Sequence, residues 1–329
     1  MTTFAYFCGH EQWQPEELVE HAQLAEKAGF DMLVVSEHFH PWVDDQSAAG
    51  FAFATIGAMA QATERVSLAT GVTTPLFRYH PAVVAQAAAT LDRLSGGRFN
   101  LGVGTGENIN EGPLGYEFPN YAGRSSRMRE ALEIMRRLLD GEKLTFKGEH
   151  YVTDRAKLYS PPLGPVPIWL AAGGPKSAAL AGEMAEGIVT SVKVPDETRQ
   201  NVIDPSREAA RAAGRPAPKI LATRWAIKAE NDEEAWEALY PWRGLRAPGR
   251  LDAVDPMDLR MRADEMPREE ILGRYSLVSN AGDIIETYRP LVSDLKADVV
   301  TIQMASVDQP ALIEMLGSEV LPQLRALVG

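Results

Sequence analysis

Along 329 residues, short apolar runs rich in β-branched and aromatic residues alternate eight times with helical segments. The runs are "TFAYFC" (3–8), "DMLVVS" (31–36), "VSLATGV" (66–72), "RFNLGVG" (98–104), "VPIWLAA" (166–172), "GIVTS" (187–191), "KILATRWAI" (219–227) and "DVVTIQMA" (298–305). The first helix, "EELVEHAQLAEKAGF", repeats Leu18, Ala22, Ala25 and Ala28 at helical spacing and is closed by Gly29. Further helices are expected over 81–94, 124–140, 174–184, 196–213, from 231 onward and over 308–327. Eight such units in one chain, at a length near the about 250 residues or more common for the architecture, predict a (β/α)8 TIM barrel as a single domain over 1–329. A doubly wound parallel sheet is the alternative, because periodicity does not report closure.

Three stretches exceed the repeat, at 105–123, 141–162 and 241–275. Barrel enzymes build their sites from loops at the carboxyl ends of strands, so the first and third are expected to form pocket walls or lids. The second, "KLTFKGEHYVTD", alternates like a small hairpin and follows a helix, which predicts a place on the opposite face.

A net charge of −12, spread along the chain, argues against a nucleic-acid binder, whose affinity comes from neutralising phosphates. An anionic ligand would need a local basic pocket. One cysteine, Cys8, leaves no disulfide framework and no thiolate cluster, which fits a reducing cytoplasm. No run reaches the about 18 apolar residues that spanning a bilayer requires, so a soluble protein is expected.

The stretch "SEHFHPW" places His38 and His40 around Phe39 just after the second strand. A His-x-His pair can hold zinc, but the site needs further ligands from later strand ends, and no later strand ends in histidine, so no metal is expected. Packed, hydrogen-bonded histidines are the plain alternative. The position at the barrel mouth, beside Glu37 and Trp42, favours an imidazole that takes a proton. "LGVGTGENINE" (101–111) departs from the G-x-G-x-x-G dinucleotide pattern, and no helix is expected directly after its glycines. It offers a strand end where a flat ligand can approach the backbone, with Glu107 at the mouth, or else an ordinary glycine turn with a solvated glutamate.

Together with "TTPLFRYHPAVVAQAAAT", "IWLAAGGPKSAALAGEMAEGIVTSVK" and "ILGRYSLVSNAGDIIETY", these motifs resemble the luciferase-like superfamily of flavin and deazaflavin barrels. Within it, the likeness is to the coenzyme F420-dependent glucose-6-phosphate dehydrogenase branch and runs from Phe4 to the last helix. The resemblance implies oxidation of an alcohol carbon, with its hydride passed to the deazaflavin of F420. It implies His38 as base, Trp42 as stabiliser of the reacting state, Glu107 as acid toward the ring nitrogen, and Glu11 as a further active-site carboxylate. Glu37, Gly71, Val72, Thr74, Thr105, Gly106, Asn110, Gly173 and Gly174 match cofactor-contacting positions, with a non-prolyl cis bond at Gly71-Val72. Thr190, Lys193 and Arg274 match contacts to a substrate phosphate.

Two departures from the family pattern stand out. Glu37 replaces the usual aspartate, and a second phosphate-binding lysine is expected to fall at Met261, between Arg260 and Arg262. A phosphorylated sugar is the leading substrate, with another sugar or a secondary alcohol as the alternative. The choice of F420 over FMN is not written in any one residue, and an FMN-dependent monooxygenase is the less favoured reading. The resemblance also implies a homodimer, for which the apolar helix 81–94 could serve as a contact.

Overall fold

The computed structural model describes residues 2–328 and shows a closed parallel barrel. Its strands are β1 (Thr3–Cys8), β2 (Met32–Val35), β3 (Ser67–Thr70), β4 (Phe99–Val103), β5 (Ile168–Ala171), β6 (Gly187–Ser191), β7 (Lys219–Lys228) and β8 (Val299–Ala305). They pair in the order β7-β8-β1-β2-β3-β4-β5-β6, and pairing of β6 with β7, from Gly187 opposite Lys219 to Ser191 opposite Thr223, closes the ring. The expected TIM barrel is therefore the fold, and the open doubly wound sheet is excluded.

Near-continuous apolar strands suit a sheet covered on both faces. In β1, Phe4, Tyr6 and Cys8 face the helix layer, whereas Ala5 packs inside the barrel with Met32, Val34, Ala69, Trp169, Leu221 and Val299. The interior layer is thus filled near the amino ends of the strands, and the upper inward positions are left for a cavity.

The first helix, α1 (Pro15–Lys27), begins with proline at its first turn, and the Glu17 carboxylate accepts from the Gln14 N–H at 2.9 Å. Gly29, at φ +95°, supplies the left-handed turn that ends it. A helix that the pattern did not delimit, α2 (Ala52–Ala62), follows β2. The barrel layer continues with α3 (Pro81–Leu94), α4 (Tyr121–Leu139) and α5 (Pro175–Met184). The segment 195–212 is helical with a π turn at Arg199–Ile203, and 309–326 carries another at Leu316–Val320.

Two expectations need correction. A single helical turn, Asn108–Glu111, does open directly after the 101–107 glycine stretch. The hairpin of Leu144–Lys147 with Val152–Ala156 starts at the opposite face but runs up along α4. Its turn reaches the site face, where Glu130 accepts the N–H groups of Glu149, His150 and Tyr151, and the Tyr151 hydroxyl donates to the Leu76 carbonyl at 2.8 Å in the loop after β3.

The 229–275 segment forms a second apolar cluster above the barrel. Leu259, Ile271 and Tyr275 pack there with Trp42 and Trp242.

Candidate active site

The carboxyl ends of the strands enclose a cavity of about 350 Å³ lined by, among others, Glu11, Glu37, His38, Trp42, Glu107 and Asn110. Its base is Val34, Val189, Leu221 and Thr301, and Phe7, Trp225, Trp242 and Leu245 make an apolar wall.

The turns after β1 and β2 are tied by buried polar groups. His10 holds the Ser36 carbonyl through Nδ1 at 2.8 Å and meets the Thr55 hydroxyl through Nε2 at 2.9 Å. A carbonyl only accepts, so the Nδ1 atom carries the proton, and burial pushes the His10 pKa down, keeping the ring neutral. The Ser36 hydroxyl in turn donates to Glu11 at 2.6 Å. The other Glu11 oxygen lies 3.4 Å from His38 Nε2.

His38 has its Nδ1 atom 3.0 Å from the His40 carbonyl, and its ring sits edge-on to Trp42 at 4.9 Å. That bond places a proton on Nδ1 and leaves Nε2 free toward the cavity. Asn110 fixes this loop, since its side-chain oxygen accepts from the Phe39 N–H at 2.8 Å.

Glu37 is embedded in a buried network. Thr73 donates to one oxygen at 2.7 Å, and Arg78 and Tyr79 donate to the other at 2.5 and 3.3 Å. Arg78 also pairs with Glu111 at 2.5 Å, so one guanidinium serves two carboxylates. Burial pushes the Glu111 carboxyl pKa up against the lowering influence of Arg78, while the two carboxylates raise that of Arg78. The extra methylene of Glu37 is therefore accommodated by Thr73 and Arg78.

The Gly71-Val72 peptide bond is cis, at the position the resemblance implied. A side chain at Gly71 would clash with Val34 Cγ1, and Gly106, at φ +81°, packs against Thr74. Thr105, Gly173 and Gly174 line an adjoining recess of about 560 Å³ at the start of α5, together with Tyr121 and Lys176. A Cβ added at Gly173 or Gly174 would meet nothing within 4 Å and would project into open space. The Tyr121 hydroxyl is buried with no partner among the described residues. Glycine backbone, free helix-start N–H groups and an unpaired hydroxyl together fit a polar, phosphate-bearing cofactor tail.

A third, basic pocket of about 480 Å³ is lined by Lys193, Arg246, Arg250 and Arg274, and shares Leu245 with the central cavity. Lys193 and Arg274 were expected here, but Arg246 and Arg250 were not. Met261 is exposed and lines neither cavity; Arg260 pairs with Asp44 at 2.6 Å, and Arg262 holds the Pro248 carbonyl. The pocket therefore draws its additional charge from 246–250 and not from the residues around 261. Thr190 is also outside: it follows the inward-facing Val189, so strand alternation turns it toward the helix layer, where it is buried. Arg250 forms an ion pair with Glu107 and lies over the Trp42 ring at 5.6 Å.

The arrangement combines a histidine backed by a carboxylate, a second carboxylate lining the same cavity, and a basic pocket next door. A sequence profile of the luciferase-like monooxygenase family matches residues 2–294. The chain belongs to this family. A Nakamurella multipartita protein named F420-dependent glucose-6-phosphate dehydrogenase is 37% identical, covering 99% of this chain and 97% of that one. A Nocardia farcinica protein of the same name is 38% identical, covering 96% of each. Among solved structures, an F420-dependent secondary alcohol dehydrogenase in complex with an F420-acetone adduct superposes with a TM-score of 0.90 at 33% identity, covering 98% of this chain and 99% of that one. In this luciferase-like barrel, no described helix is long and apolar enough to cross a membrane.

Proposed function

We propose that this luciferase-like barrel is a coenzyme F420-dependent dehydrogenase acting on the alcohol carbon of a sugar phosphate, with glucose 6-phosphate, oxidised to its lactone, as the first candidate. The observation that carries the reading is the pocket of Lys193, Arg246, Arg250 and Arg274 opening beside the His38 cavity. It agrees with the names of the relatives that match nearly the whole chain.

F420, when bound, supplies a deazaflavin ring that accepts a hydride. Gly71, Val72, Thr74, Thr105, Gly106 and Asn110 would hold its ring end, and Gly173 and Gly174 its tail. His38 Nε2 takes the hydroxyl proton of the substrate, which makes hydride departure easier, and Glu11 stabilises the imidazolium that results. Trp42, packed on His38, keeps the ring aimed and water away. Glu107, on the loop after β4, would supply the proton that the reduced ring takes up, so acid and base sit on different elements. The basic pocket orients the phosphate end.

Purified protein mixed with oxidised F420 and glucose 6-phosphate should bleach the long-wavelength absorbance of the cofactor. Tight F420 binding without bleaching would move the substrate to the second reading, an uncharged secondary alcohol, which the aromatic wall of Phe7, Trp225 and Trp242 favours. Activity restored by FMN and not by F420 would sink the cofactor assignment.

The working form is proposed to be a cytoplasmic homodimer. The α3 helix leaves Val83 and Leu94 exposed, and Val83→Glu should reduce the mass measured by light scattering to that of one chain.

A further inference from the structure

Arg250 belongs to two sites at once. Its guanidinium pairs with Glu107, which lines the central cavity, and the same residue lines the basic pocket with Lys193, Arg246 and Arg274. Its side chain is 31% and that of Glu107 25% exposed, so the pair is partly screened by solvent and can be exchanged for a stronger partner. A dianion seated in the basic pocket is such a partner, since it offers the planar guanidinium two oxygens and a larger charge.

We infer that Arg250 couples the two sites: an anion in the basic pocket draws Arg250 away from Glu107, and Glu107 is then more readily protonated. Removing a cation from beside a carboxylate favours its protonated form. The acid is thus easier to load when the phosphate end of a substrate is seated. Linkage makes the effect reciprocal, so neutralising Glu107 strengthens anion binding. The inference rests on the reading of the basic pocket as the phosphate site.

Several other charged groups face this pair. Glu11, Glu37 and His38 share the cavity with Glu107, and Trp42 faces Arg250. Across the basic pocket Glu270 pairs with Arg274 at 2.6 Å, and the Arg274 guanidinium also donates to the Arg246 carbonyl at 2.8 Å. Glu270→Gln is therefore the matched comparison: it frees a cation of the same pocket without touching Glu107.

The test is calorimetric titration of the protein alone with sulfate, which does not titrate near neutrality, at constant ionic strength. Glu107→Gln should bind sulfate about fivefold more tightly than the wild type at neutral pH, the low end for coupled sites. Wild-type affinity should rise as pH falls, and Glu107→Gln should lose part of the rise. In an Arg250→Gln background, adding Glu107→Gln should change nothing further. The wild-type pH dependence tests the coupling even where a variant folds poorly. Sulfate affinity unchanged or weakened by Glu107→Gln, with binding still dependent on Arg274, would overturn the coupling and leave the anion pocket standing. Failure of sulfate to bind both wild type and Glu107→Gln would remove the anion pocket and the coupling together.

Discussion

The two sides of the cavity are held by different physics. On the side built from the loops after β1, β2 and β3, closed by Glu111 from the turn after β4, charged groups are sealed from water: Glu37, Glu111 and Arg78 have side chains 2%, 0% and 5% exposed. On the side built from 240–275, the ion pairs are half-open, as at Arg250–Glu107 and Arg274–Glu270. Breaking a buried pair leaves an uncompensated charge, whereas a surface pair contributes little to stability. The first side therefore fixes geometry, and the second can rearrange around a ligand. Among the links that join them, Arg243, fully buried, bonds Asp264 at 2.9 Å and Asp45 at 3.2 Å, and Gly244 lies against the Trp42 carbonyl, where a Cβ would clash.

The largest expected effect falls on the sealed side. His38→Ala should lower turnover by about a hundredfold to ten-thousandfold in single-turnover assays, with F420 affinity kept. Unchanged turnover would remove the base assignment. Next, Arg78→Met leaves Glu37 and Glu111 buried without a cation and should cost about 3–5 kcal/mol in urea unfolding. Lys193→Ala, on the open side, should alter stability by less than about 0.5 kcal/mol. Its effect should appear in kcat/KM for the sugar phosphate, about tenfold lower through the lost charged contact. Equal stability losses from Arg78→Met and Lys193→Ala would erase the contrast between the two sides.

Acid should also act on the β1 to α3 half of the barrel, where three histidines are shielded from water. Burial holds His10, His21 and His80 below the ordinary histidine pKa, so the unfolded chain binds their protons more readily. The stability they confer is complete above about pH 6.5 and is lost as pH falls through their lowered folded values. The thermal midpoint should decline over that window, less steeply in His10→Asn. The smallest effect is reserved for Met261→Lys. Because Met261 points into solvent away from both cavities, the added charge should leave kcat/KM for glucose 6-phosphate within about twofold. A large gain would show that residue 261 reaches the phosphate.

Much of this was readable from local pattern. The eight strands and most helices announce themselves through periodicity, and "SEHFHPW" marks a strand end carrying His38. The α2 helix escaped because "AFATIGAMAQA" is apolar on nearly every face, leaving no amphipathic rhythm, and a long loop separates it from β2. The hairpin 144–156 was visible as a hairpin, but its turn is placed by Glu130 and Leu76, contacts far away in sequence. Arg250 was missed for the same reason: Glu107 stands 143 residues earlier. Nothing local distinguishes Arg250 from Arg246, Arg260 or Arg262, and matching to the family pattern pointed to Met261 instead. Thr190 was misplaced by one step of alternation, which turns a side chain to the other face of a strand.

Leu245 lines both the central cavity and the basic pocket, so one side chain marks the border between the chamber proposed for the reaction and the pocket proposed for the charged end. That border works as a ruler. A ligand must be long enough to cross it to be gripped at both ends, and a shorter alcohol fills only the inner chamber. Widening or narrowing residue 245 would therefore re-grade the ligands by length, leaving the chemistry at His38 as it was.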